Sequence, residues 1–156
     1  MRTPEAREVT WAGEHLSDLE FELWLQMSPA DRLHSILVAQ RVEIELRGDE
    51  TALVAGLLHD VGKTAVRSGL VTRVVAAIVK PMATRHRVNH WASAGSFLSN
   101  LASFIDYPRI GAALLQSIGS DDFVVRWAAE HHLPKHEWTV DNVRADVLAR
   151  ADHLAV

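Results

Sequence analysis

Apolar positions along this chain recur at helical spacing, and no segment shows a sustained alternation of apolar and polar residues. Ser17 and Glu20 stand at capping-box spacing and predict a short helix carrying Leu19, Leu23 and Trp24. Ser28-Pro29-Ala30-Asp31 is a stronger start: a capping serine, a proline at the first helical position and an acid where the helix dipole is positive. The helix it opens should reach about Arg47, with Leu33, Ile36, Leu37 and Ile44 toward the core and Gly48 ending it. Thr51 to Asp60 reads TALVAGLLHD, nearly all apolar or small through its first eight residues. A buried strand and a helix buried on most sides both fit such a run. Ala and Leu dominate it, and only Thr51 and Val54 are β-branched, so the helix is the better reading.

Further helices are expected over Leu70 to Lys80, His90 to Ile105, Asp106 to about Ile118, and Phe123 to His132, with a basic loop from Met82 to Asn89. Pro81 and Pro134 act as stops. Thr139 or Asp141 caps a last helix, with Val143, Val147, Leu148, Ala151 and Leu154 on its buried side. The pattern predicts an all-α single-domain bundle of about six to eight helices over residues 17–156, preceded by a loosely held segment at residues 1–16.

Length and composition narrow the class. A chain of 156 residues suits one domain. With 48% hydrophobic and 23% charged residues it can build a core and is not a disordered chain. It has no cysteine, which excludes disulfides, thiolate metal sites and a cysteine nucleophile. A net charge of -4 argues against a nucleic-acid polymer as partner. No apolar run is long enough for a membrane span, and the polar N-terminus resembles no leader, so a cytoplasmic location and no membrane partner are expected. The apolar helices leave room for a homodimer face without locating one. The nine histidines are an excess that calls for a use.

His59-Asp60 ends the most apolar helix. A lone pair of this kind is commonly just a helix end meeting solvent, but buried it would call for a cation, since an unpaired buried charge is costly. His34 on the well-capped helix and Asp152 on the last one complete a set of two imidazoles and two carboxylates. Such nitrogen and oxygen donors suit magnesium or a first-row divalent ion, and facing helices of a bundle can bring them together.

The order His34 in HSILVA, His59-Asp60 in LLHDVGK and Asp152 at the end of ARAD resembles the HD-domain superfamily of metal-dependent phosphohydrolases, over about Ser28 to Leu154. The resemblance implies an all-α fold with His34, His59, Asp60 and Asp152 as metal ligands. Manganese, iron, magnesium, nickel, cobalt and zinc are not distinguished. It also implies that Lys63 contacts a substrate phosphate, which an ammonium one turn past the metal can do. Taken alone, Lys63 would be a solvated lysine at a helix end.

Some members of the superfamily hold further metals through a His in a stretch like H-P-x-I-G-A-x-L-L, followed about two dozen residues later by another His, often doubled. Here Tyr107-Pro108-Arg109-Ile110-Gly111-Ala112-Ala113-Leu114-Leu115 and the His131-His132 pair keep that frame. The first ligand is a tyrosine, however, and a neutral phenol with a pKa of ~10 is a poor donor to most divalent ions. One ion per chain is therefore expected, with His131 as a phosphate partner or proton donor and Tyr107 donating a hydrogen bond. His90 or His86 filling the gap is the alternative, although His90 lies about forty residues from His131 and both read more simply as part of the basic loop. His131 is preferred over His132, because neighbours on a helix point about 100° apart and both would serve only if the helix ended there. His15, His136 and His153 match nothing and are taken as surface residues. Trp91, Trp127 and Trp138 could stack a base but are more simply core. LPKHEW follows the His pair where the Gly-Tyr-Pro signature of the cyclic-dinucleotide members would stand.

The expected activity is hydrolysis of a small phosphoester, a nucleotide or related metabolite. Asp60, Lys63 and His131 would be the working residues, and Arg67, Arg85 and Arg87 further phosphate partners. A di-iron oxygenase would need the second site that Tyr107 interrupts. A non-catalytic metal- or nucleotide-sensing domain would not require Lys63.

Overall fold

The computed structural model describes residues 2–64 and 107–155. Among them are seven α-helices: α1 (Ala6–His15), α2 (Asp18–Leu25), α3 (Pro29–Glu45), α4 (Glu50–Leu58), α5 (Tyr107–Ser117), α6 (Asp122–Glu130) and α7 (Asn142–Leu154). A 3-10 turn at Lys135–Glu137 joins the last two, and the described residues contain no strand. None of the helices is long and apolar enough to cross a membrane. The helices expected at Leu70–Lys80 and His90–Ile105 and the basic loop between them lie outside the described residues.

α4 is the axis of the bundle. Every residue from Ala52 to Leu58 is buried, as its continuous apolar run requires. α3 and α7 lie on one side of it and α6 on another, with α5 packed against α6. Leu57 and Leu58 are fully enclosed with Trp24, Ile36, Leu115 and Leu148, and each such leucine contributes ~1.5–3 kcal/mol by leaving water. Small residues let α3 and α4 approach closely: a Cβ added to Gly56 would lie 3.2 Å from the Ala39 Cα.

Caps fix the ends that matter. Ser28 accepts from the Asp31 amide to start α3, and Asp49 accepts from Ala52 to start α4. Asp141 rather than Thr139 caps α7. Arg144 of α7 donates to the other Asp49 oxygen at 2.7 Å, tying the two helix starts together. Glu20 links α2 to the α5–α6 turn: one carboxylate oxygen accepts from the Ser17 amide and hydroxyl, the other from the Ser120 hydroxyl.

Several expectations need correction. Residues 1–16, read as loosely held, carry α1, which packs on α4 and buries Ala12 completely. His15 is not a free surface residue: its Nδ1 is 2.6 Å from Glu50 Oε1. Ile44, Val143 and Leu154 are 69, 67 and 59% exposed rather than core. Ile44 is two residues past the buried Val42, about 200° around the helix. Val143 and Leu154 lie in end turns of their helix. Trp127 is buried and meets Trp138 edge-on at 5.5 Å, so it is core and not a base platform. His136 and His153 are exposed.

Candidate metal centre

Four helix segments converge on one cluster of donors. α3 supplies His34, α7 supplies Asp152, the turn after α4 supplies His59 and Asp60, and the helical residues just past that turn supply Lys63. α6 ends at Glu130, so His131 is its C-cap and His132 lies beyond it. The helix was expected to continue through His132; its earlier end is what lets both histidines face the cluster.

The donors form two sets, each with its ligand atoms within 4.8 Å of one another: His34, His59 and Asp152, and Asp60, His131 and His132. Asp60 joins them. Its Oδ2 is 3.5 Å from His59 Nε2, and its Oδ1 is 3.7 Å from His131 Nε2. Asp152 Oδ1 lies 2.8 Å from His34 Nε2 and 3.5 Å from His59 Nε2. His59, Asp60 and His131 are buried, while His34 and Asp152 lie half-buried at the rim.

Backbone carbonyls aim the rings. The Nδ1–H of His59 donates to Gly56 O at 2.9 Å, and that of His131 donates to Ala128 O at 3.0 Å. His34 Nδ1 is 3.3 Å from Ala155 O. With Nδ1 carrying the proton, the Nε2 lone pairs of His59 and His131 point at the carboxylates, the usual arrangement of metal-binding imidazoles. His131 Nε2 is fully buried and has no hydrogen-bond partner. Such an orphan is costly and leaves room for a further partner, while the His59 Nε2 lone pair facing an Asp60 and an Asp152 oxygen at 3.5 Å each is an arrangement that a cation would make favourable. The donor set therefore fits a divalent ion.

The charges agree. Burial would push the Asp60 carboxyl up, but His131, His59 and Lys63 prevail and hold it well below the usual carboxylate range. Asp152 is likewise pushed up by burial and held far down by His34 and His59. The hydrogen bond to Asp152 outweighs desolvation at His34 and raises its pKa.

Lys63 Nζ is 2.5 Å from Asp60 Oδ2 and 3.9 Å from Asp31 Oδ1, and it lies 5.7 Å from the Tyr107 ring centroid. Asp31 was read from the sequence only as a helix-start acid. It precedes His34 by one helical turn and so shares its face, which is the signal that could have found it. Glu130 was also missed: its carboxylate accepts from the Thr139 amide at 2.7 Å and hydroxyl at 2.5 Å, closing the loop that follows His131 and His132. Tyr107 is hydrogen-bonded to His132 Nε2. It reaches the cluster because α5 starts directly on Gly62: a Cβ there would overlap the Tyr107 carbonyl and stand 2.9 Å from the Gly111 amide. Arg67, Arg85, Arg87, His86, His90 and Trp91 lie outside the described residues.

Residues 33–156 match the family model for the HD domain. No curated protein matches the chain, and no solved structure does.

Proposed function

The chain belongs to the HD-domain family, and from that premise we propose that it is a metal-dependent phosphohydrolase acting on a small phosphoester, a nucleotide or related metabolite. The observation that carries this reading is the continuous donor cluster of His34, His59, Asp60 and Asp152 with Lys63 at its edge. These four residues would hold one divalent ion, which supplies Lewis acidity and lowers the pKa of a water toward neutrality.

The chain's own groups account for the rest. The Gly56 carbonyl keeps the His59 Nδ1 protonated, so its Nε2 stays available as a donor. Asp60 remains ionised and presents one oxygen to His59 and the other to His131. Lys63, with 37% of its side chain exposed, can turn from Asp60 toward a phosphate oxygen at the mouth of the site. In a chain of net charge -4, that cation offsets part of the repulsion of an anionic substrate. His131 holds a proton on Nδ1, and a second proton taken up on its buried Nε2 beside Asp60 would let it donate to the phosphoryl group or its leaving oxygen.

The test is phosphate release from a panel of nucleotides and other phosphomonoesters and diesters, each with manganese(II), magnesium or ferrous ion. Turnover of at least one small ester should depend on added metal and disappear in Asp60→Ala. Hydrolysis that survives in Asp60→Ala, or that ignores chelation, would refute the assignment.

A further inference from the structure

We propose that Tyr107 sets the number of ions this chain holds by consuming His132 as a donor. This rests on the metal reading above. Asp60, His131 and His132 bring their ligand atoms within 4.8 Å of one another, and His131 Nε2 is buried and unpartnered beside Asp60. Those three residues together would make a second cation site, since three protein donors and solvent are enough for a divalent ion. His132, however, is hydrogen-bonded through Nε2 to the Tyr107 hydroxyl.

The direction of that bond decides the matter. A phenol is a far stronger acid than a neutral imidazole N–H, so the favoured arrangement, and the one proposed, has Tyr107 donating to Nε2. A neutral imidazole that accepts at Nε2 carries its own proton on Nδ1. Neither nitrogen of His132 then has a lone pair to give. The second set shrinks to His131 and Asp60, and Asp60 is shared with the first. Tyr107 is held in this role by the backbone, because Gly62 abuts its carbonyl.

Metal titration of the full chain tests this, using manganese(II), calorimetry and elemental analysis, with circular dichroism to verify each fold. The wild type should take one ion. Tyr107→Phe, which removes only the hydroxyl, should take a second and weaker ion. Tyr107→Phe/His132→Ala should return to one. Two ions in the wild type, one in Tyr107→Phe, or two in the double variant would each overturn the role given to Tyr107. A wild type that takes none would instead overturn the metal reading beneath it.

Discussion

Replacing Gly62 by alanine probes how the fold sets the site. The added methyl would collide with the Tyr107 carbonyl and sit 2.9 Å from the Gly111 amide nitrogen. Both obstacles are backbone, so no side chain can swing away. Either α5 or the His59–Lys63 segment must move. Overpacking of this kind costs ~1–3 kcal/mol, and a contact with rigid backbone belongs at the upper end. The gain from restricting the unfolded chain, ~0.4–1 kcal/mol, offsets little of it. A net loss of about 2 kcal/mol is expected, a large share of the ~5–15 kcal/mol that holds a domain together. Gly111→Ala should cost less, because its Cβ would meet the Gly62 amide at 2.9 Å but Gly62 Cα only at 3.2 Å. Gly48→Ala isolates the backbone term: its φ is +81° with nothing within 4 Å, so it should cost ~1 kcal/mol from conformation alone. Urea unfolding of the three variants, with unchanged m-values, measures the series. Gly62→Ala as stable as the wild type would refute the claim that this contact positions α5 against the metal-ligand turn.

Other consequences follow from single contacts. The raised pKa of His34 means that its pair with Asp152 stabilises the metal-free fold fully below ~6.5 and loses that contribution as pH rises through the raised value. Metal must displace that proton, so affinity should climb with pH across the same window. Calorimetry in buffers of different ionisation enthalpy should register proton release, and a buffer-independent heat would count against it. Lys63→Met keeps the aliphatic stem and removes the charge; kcat/KM on the phosphoester should fall roughly 10²–10³-fold with metal content unchanged, and unaltered kinetics would remove Lys63 from the site. Ser35→Ala strands the indole N–H of the fully buried Trp24, which donates to Ser35 at 3.0 Å. It should cost ~1–3 kcal/mol by urea unfolding, and a neutral effect would show that the bond is not needed.

Local signals in the chain translated well where one residue does one job. Ser28-Pro29-Ala30-Asp31 starts α3 as its composition demands, and the Ala- and Leu-rich run from Thr51 is the buried α4. The all-α class follows from that periodicity, and His34, His59, Asp60 and Asp152 lie together because the helices that carry them pack on α4. What stayed hidden depends on geometry between distant segments. Asp31 reads as a dipole-matched acid until Lys63 is placed 3.9 Å away. Gly62 reads as a helix breaker, yet its missing Cβ is what admits the start of α5. Thr139 looks like a cap and is instead held by Glu130, leaving Asp141 to start α7. Apolar residues in end turns, such as Val143, misled because periodicity does not say where a neighbouring helix stops.

The most direct test of the metal centre is the divalent-metal content of the purified wild type beside His59→Ala, by elemental analysis after dialysis against trace manganese(II). His59 is buried and faces both Asp152 and Asp60. A stoichiometric ion is expected in the wild type and essentially none in a folded His59→Ala. An ion-free wild type, or equal loading of the two, would contradict it.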